Sequence, residues 1–272
     1  MDQKEDNSEK DSVLFTHIRH ASSFIKLGKM TILIDPMLSE KHSLPSILFT
    51  QNKLRNPLTG LPFSIDDIVT QVDFVLLTHL HFDHFDYTAI QKIPKSTPII
   101  CSDFNKKKLM NSGFSTIYSL SDGITIDDLS ITRFPATHGT GLFKVLLGKG
   151  SSYLLSFKGF KIFITGDCLL TKMIKIVLVE TKPDLIIANG GAAVFKYGKP
   201  ITMTIKDIQQ LSAILPDSRI FVVHLDALNH CSETRLDYFD QLKNNLNIFI
   251  PADGEKIEIN NVAQQPQPEM RP

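Results

Sequence analysis

The chain has 272 residues, 42% of them apolar, and equal numbers of acidic and basic side chains, so its formal net charge is zero. That supplies a sizeable core and excludes a disordered chain. Zero net charge also argues against long nucleic acid or an anionic membrane as a partner of the whole surface.

Residues 1–12 are charged and polar, have little to bury, and read as a flexible tail rather than a secretory leader. From Val13 to Asp35 the pattern is that of strands. Phe24, Ile25 and Leu27 lead into a Gly28-Lys29 turn, and Ile32, Leu33 and Ile34 leave it. Residues 37–64 are irregular, with Pro45, Pro57, Pro62 and Gly60 breaking up Leu44, Ile47, Leu48, Phe49 and Leu61. They read equally as a loop packed on the core and as a lid over a pocket.

Further strands are predicted at 74–78, 98–101, 116–118 and 129–134, and a helix at 104–112. A second hairpin follows, with Tyr153 to Phe157 entering a Lys158-Gly159 turn and Phe160 to Ile164 leaving it. Strands at 185–188, 220–223 and 248–250 alternate with helices at 204–215 and 233–245, the first opened by a Thr204/Asp207 capping pair. Residues 261–272 read as a second tail, and no shift in composition divides 13–260, which is taken as one domain. Mixed strands and helices indicate an α/β protein with helices covering two sheets. Each hairpin is preceded by a Ser-Ser pair and followed by an Asp, which hints at an internal duplication.

No apolar run reaches the roughly 18 residues of a membrane span. Cys101, Cys168 and Cys231 lack paired spacing and read as free thiols in a reducing compartment. A cytoplasmic protein is expected, and a homo-oligomer is compatible with the sequence.

The chemistry concentrates after the strand at 74–78. His79, His81 and His84 lie within six residues of one another, with Asp83 among them. Crowded imidazoles repel when protonated, and a divalent cation relieves this by taking neutral imidazoles and the carboxylate as ligands. His79 and His81 can face one side of an extended segment, leaving Asp83 and His84 for a second ion.

His-x-His-x-Asp-His after an apolar strand resembles the signature of the metallo-β-lactamase superfamily. The remaining motifs of that family have matches in order: Asp35 in Ile34-Asp35-Pro36, His138 in Thr137-His138-Gly139, Asp167 in Gly166-Asp167, and His224 in Val223-His224. The resemblance covers about residues 13–260. It implies a four-layer αββα sandwich of two mixed β-sheets flanked by helices. It also implies two divalent metal ions, zinc first, with manganese or iron as alternatives.

By that resemblance the first ion takes His79, His81 and His138, the second takes Asp83, His84 and His224, and Asp167 bridges them. Asp35 is expected to orient a ligand, and Cys168 to lie in the core. His230 is the candidate proton donor, a substrate-binding residue or a replacement for His224 as ligand, and Asp83 is counted with it as catalytic. His20 falls where relatives often carry a site-lining segment. Asn189, before Gly190-Gly191, and Asn229 are expected near the ligands or the substrate, the two glycines giving either close approach to backbone amides or a tight turn. The pattern is similar to the branch holding L-ascorbate-6-phosphate lactonase and the N-acyl-phosphatidylethanolamine phospholipase D type. The function implied is a binuclear hydrolase using a metal-bridging hydroxide against a small-molecule ester, lactone or phosphodiester. The alternatives are an iron-dependent oxidoreductase on the same ligands and a nucleotide phosphodiesterase.

Overall fold

The computed structural model describes residues 12–50, 52–139, 145, 147–196 and 198–259. The tails expected at the two ends lie outside these residues, apart from Ser12. Sheet one holds β1 (Val13–Arg19), β2 (Ser22–Leu27), β3 (Met30–Ile34), β4 (Phe74–Leu76), β5 (Ile99–Ser102), β6 (Ile117–Leu120) and β14 (Lys256–Glu258), in the order β14-β1-β2-β3-β4-β5-β6. Sheet two holds β7 (Gly123–Ile126), β8 (Leu129–Ala136), β9 (Gly150–Phe157), β10 (Phe160–Ile164), β11 (Leu185–Asn189), β12 (Arg219–Val223) and β13 (Ile248–Phe249), in the order β13-β12-β11-β10-β9-β8-β7.

The strands are apolar on both faces because both are covered. Ile32, Ile34, Ile162 and Ile164 point into a core shared by the two sheets. Their neighbours point outward. Leu33 joins a cluster with Ile68, Ala89 and Leu109 from α1 (Ile65–Thr70), α2 (Tyr87–Lys92) and α3 (Asp103–Asn111). Phe163 joins Leu178, Ile208 and Leu242 from α4 (Lys172–Thr181), α5 (Ile205–Ile214) and α6 (Arg235–Leu242). The result is the expected αββα sandwich. α1, α2 and α4 were not anticipated, nor were the edge strands β7 and β14. Among the described residues no helix is long and apolar enough to cross a membrane.

The two sheets share a plan. β1, β2 and β3 are antiparallel and β3 to β6 parallel; β8, β9 and β10 are antiparallel and β10 to β13 parallel. Ser23 pairs with Ile34 as Tyr153 pairs with Ile164. The Ser22 hydroxyl donates to the Asp35 carbonyl (2.7 Å), and that of Ser152 donates to the Thr165 carbonyl (2.6 Å). The register therefore matches Asp35 with Thr165. Asp167 lies two residues further on, so the two aspartates are not equivalent positions of the repeat.

Parallel strands bring their carboxyl ends to one edge of the sandwich, where loops can converge on a ligand. Asp35 follows β3, the histidine-rich segment follows β4, Asp167 follows β10, and His224 follows β12. The edge is sealed where Thr78 and Ser151 meet: Ser151 N donates to the Thr78 carbonyl (3.0 Å). Gly166 sits against both in a left-handed conformation (φ 55°), where a Cβ would come within 2.8 Å of the Thr78 side chain and 2.9 Å of the Ser151 carbonyl.

Residues 37–64 pack on this edge. Arg19, fully buried, donates to the carbonyls of Met37, Ser39 and Thr59, each at 2.9 Å. Leu44 and Asn56 form an isolated antiparallel bridge, and Leu48 and Phe49 stand exposed at the tip. Arg19 holds the two ends of the segment, its middle is bonded to neighbouring loops, as at the Phe49 carbonyl, and the side chains of Leu48 and Phe49 face solvent.

Candidate metal centre

The centre is built from imidazoles whose outer nitrogens are already committed. His79 Nδ1 is 3.0 Å from the Thr78 hydroxyl, which itself donates to Asp35 Oδ2 (2.6 Å). That hydroxyl therefore accepts from His79 Nδ1–H, leaving the lone pair on Nε2. His84 Nδ1 lies 2.8 Å from Asp35 Oδ2, and His138 Nδ1 lies 3.2 Å from the Ile201 carbonyl. Both rings likewise turn a free Nε2 inward. His81 is reversed: its Nε2 donates to the Leu147 carbonyl (3.0 Å), which leaves Nδ1 free. His224 Nδ1 faces the Cys231 sulfur at 3.8 Å. Such outer partners fix tautomer and ring orientation before any ion is bound.

The carboxylates lie between these nitrogens. Asp167 Oδ1 is 3.2 Å from His84 Nε2 and 3.4 Å from His224 Nε2. Its Oδ2 faces the other set, 3.8 Å from His79 Nε2 and 3.7 Å from His138 Nε2. Asn189 Nδ2 donates to Asp167 Oδ1 (2.8 Å) and holds the carboxylate in this bridging attitude. Asp83 Oδ2 is 3.8 Å from His224 Nε2, 3.6 Å from His20 Nε2 and 3.7 Å from His230 Nε2.

A cation fits this arrangement. The Nε2 atoms of His79, His84 and His224 are buried with no hydrogen-bond partner, which costs about 1–3 kcal/mol for each group left unsatisfied. Most of the nitrogen–oxygen separations are too long for hydrogen bonds. Two ligands of one ion, each bound at about 2.0–2.2 Å, stand roughly 3.0–3.5 Å apart, close to what is seen here. The donor atoms of His79, His81 and His138 lie within 4.8 Å of one another, as do those of His20, Asp83, His84 and His224, and those of His79, His84 and Asp167.

The electrostatics agree. Burial, then the neighbouring His84, pushes His79 well below the usual histidine pKa. Burial would raise the pKa of Asp83 and Asp167, but the nearby histidines, His84 first, hold both well below the usual carboxylate range. Burial would lower the pKa of His84, yet Asp167, Asp35 and Asp83 together lift it well above the ordinary value. Two buried carboxylates thus demand positive charge at the spot where the free nitrogens converge. His230, by contrast, is lowered to about 4, chiefly by burial, so its imidazole is neutral near pH 7.

The seven residues expected as ligands are brought together. His20, His230, Asp35 and Asn189 lie against them in the contacts given above. Asn229 has another task. It accepts from Ile47 N (3.0 Å) and Asn56 Nδ2 (2.9 Å), and it donates to Thr50 Oγ1 (2.7 Å) and the Asn52 carbonyl (3.0 Å). Its amide is therefore spent on holding residues 47–56 to the loop that carries His230, not on substrate.

Gly190 and Gly191 also serve packing rather than substrate approach. Gly190 N donates to the Val223 carbonyl and Gly191 N to the Tyr238 hydroxyl. A Cβ on Gly191 (φ 77°) would meet the His224 carbonyl at 2.5 Å. Cys168 is buried in the core as expected; Cys101, Cys168 and Cys231 are all free, and Cys231 is only partly buried. Sequence reasoning missed Thr78, Cys231 and the carbonyls of Leu147 and Ile201 as orienting partners. Thr78 stands next to the first histidine, but backbone carbonyls leave no trace in a sequence.

His20 (φ 57°), Asp35 (φ 41°), His224 (φ 67°) and Asp226 (φ 57°) all adopt left-handed backbone. Such conformations cost about 1–3 kcal/mol each in non-glycine residues and cluster at functional sites.

Known proteins resemble this chain over most of its length. The family model for the beta-lactamase superfamily domain matches residues 30–225. UPF0173 protein YddR of Bacillus subtilis is 31% identical over 251 residues, covering 88% of this chain and 97% of that protein. A UPF0173 metal-dependent hydrolase of Flavobacterium johnsoniae is 27% identical over 259 residues, covering 90% and 99%. Among solved structures, an isothiocyanate hydrolase from Delia radicum gut bacteria superposes with a TM-score of 0.86 at 31% identity, covering 90% of this chain and 98% of that one. A possible metal-dependent hydrolase from Veillonella parvula superposes with a TM-score of 0.87 at 30% identity, covering 90% and 99%. With the family model spanning most of the chain and YddR matching nearly end to end, this protein belongs to the beta-lactamase superfamily and, within it, to the UPF0173 family of metal-dependent hydrolases.

Proposed function

We propose that this protein is a binuclear hydrolase of small molecules. The observation that carries the reading is the bridging attitude of Asp167, one oxygen towards His84 and His224 and the other towards His79 and His138. His79, His81 and His138 would hold one divalent ion, and Asp83, His84 and His224 the other, with Asp167 shared. Zinc suits imidazole and carboxylate donors, and manganese or iron can occupy the same set. Ions bound there supply Lewis acidity, making water a nucleophile near neutral pH and drawing off charge that develops on the substrate.

The chain's own residues do the rest. Asp35 orients His84 and, through Thr78, His79. Asn189 fixes Asp167. His230, beside Asp83, is placed to hold a proton on its way to the leaving atom. The segment 37–64, clamped by Arg19 and Asn229, limits what reaches the site.

Such a site delivers water to an electrophilic carbon or phosphorus, by addition to a cumulated carbon or by displacement of an alkoxide. Isothiocyanates come first as substrate class, supported by the likeness to the isothiocyanate hydrolase over nearly all of its length. Esters, lactones and phosphodiesters, cyclic nucleotides included, present the same kind of centre. The test is a panel of benzyl isothiocyanate, an aryl ester, a γ-lactone, bis(4-nitrophenyl) phosphate and a cyclic nucleotide, assayed with zinc- and manganese-loaded protein. Hydrolysis of at least one class is expected, with loss of at least 1,000-fold in Asp83→Ala, on the order of removing a metal-held transition-state contact. A full rate in Asp83→Ala contradicts the assigned site. Oxygen consumption by the iron form without any hydrolysis favours the oxidoreductase alternative.

A further inference from the structure

We infer that His20 is an additional protein ligand of the second ion, beside Asp83, His84, His224 and Asp167. This rests on the binuclear reading above and adds a residue to it.

His20 sits in the turn between β1 and β2 with left-handed backbone, and its carbonyl accepts from His224 N (2.8 Å). The two backbones are thereby locked together, and their rings lie 3.7 Å apart between centroids. His20 is fully buried, and neither of its ring nitrogens has a hydrogen-bond partner. A neutral imidazole carries one N–H and one lone pair, so a ring sealed from water with both unused is costly unless something else takes the lone pair. Its Nε2 is 3.6 Å from Asp83 Oδ2, too long for a hydrogen bond. The separation falls within the 3.2–3.8 Å found between the nitrogens of His84 and His224 and the oxygens of Asp83 and Asp167.

His20 shares with Asp83, His84 and His224 a group of donor atoms all within 4.8 Å of one another, and His230 is not part of that group. Its complete burial also separates the two extra histidines by role. His20 is sealed from solvent and serves as a donor to the ion, while His230, slightly exposed, remains for the substrate side. The second position then has five protein donors (His20, Asp83, His84, Asp167 and His224), and the first has four (His79, His81, His138 and Asp167). The first position is the more open one for substrate.

The test uses the dicobalt protein. A histidine that binds cobalt through one nitrogen keeps a proton on the other, which appears as a hyperfine-shifted, exchangeable resonance in the proton NMR spectrum. Two ions and six such resonances are expected in the wild type, from His20, His79, His81, His84, His138 and His224. His20→Ala should show five, with one cobalt bound at least 10-fold more weakly in chelator competition and the other unchanged. His230→Ala should retain all six. Five resonances in the wild type, or an unchanged set in His20→Ala, overturns the assignment while leaving the binuclear reading intact. Should His20→Ala fail to fold, His230→Ala decides: six resonances support the assignment and five overturn it. Uptake of fewer than two ions by the wild type overturns the binuclear reading and this assignment together.

Discussion

An imidazole can bind an ion only through a nitrogen that its surroundings leave free, and at this centre those surroundings are set by a few short contacts. Asp35 is the clearest case. Its carboxylate accepts from Thr78 N (2.8 Å), from the Thr78 hydroxyl and from His84 Nδ1, so one side chain sets the exit of β4 and two imidazole tautomers. Asp35→Asn keeps the shape but cannot accept from all three donors. It should weaken binding of the ion at His84 by roughly 10- to 100-fold, the usual cost of losing an outer partner of a ligand. Chelator competition measures this, and an unchanged affinity would show that Asp35 is only a turn residue. At this scale the sequence was informative where the clustered side chains sit close together: the grouping of His79, His81, Asp83 and His84 can be read from spacing alone. His138, Asp167 and His224 needed the resemblance, because only folding brings them near. The role of Asn229 was not legible, since an asparagine beside a histidine looks the same whether it faces a substrate or clamps a loop.

At the scale of elements, the strands were legible and several helices were not. Strands covered on both faces are continuous apolar runs rich in Ile, such as Ile32-Leu33-Ile34 and Ile162-Phe163-Ile164, which have few other readings. α1 and α2 are only six residues long, too short for a period to emerge. α4 is rich in Ile and Val, which favour strands on propensity. It is helical because Thr171 caps its first turn and Ile174 and Leu178 pack on sheet two. The loops between elements carry the tightest constraints. Gly191→Ala puts a Cβ 2.5 Å from the His224 carbonyl at a backbone angle that alanine disfavours. It should cost about 2–3 kcal/mol in denaturant unfolding. Gly60→Ala, with nothing within 4 Å, serves as the control and should change little.

Over the whole molecule, the far ends of the chain close on each other through Asp253. Its carboxylate accepts from Arg235 of α6 (2.8 Å) and lies 3.4 Å from His17 Nε2 of β1. Burial alone would raise its pKa, but His17 and Arg235 bring it down to about 2. A carboxyl group depressed in the folded state contributes stability above its unfolded pKa of about 3.9 and loses it as pH falls towards the folded value. Wild-type stability should therefore drop by about 1–2 kcal/mol from this group between pH 4 and pH 2, allowing for its partial exposure. Asp253→Asn should be less stable at pH 7 and show a flatter decline over that interval. An equal slope in the two proteins would mean that the contact contributes nothing.

The same architecture gathers Asp83, Asp167 and five histidines at one edge of two sheets, and the claim that they hold two ions is open to direct measurement. Metal content of freshly purified protein, by mass spectrometry of the ions against protein concentration, should give two divalent ions per chain, falling below one in Asp167→Ala, which loses the shared ligand. Fewer than one ion per wild-type chain, with no increase on adding zinc or manganese, would contradict the account.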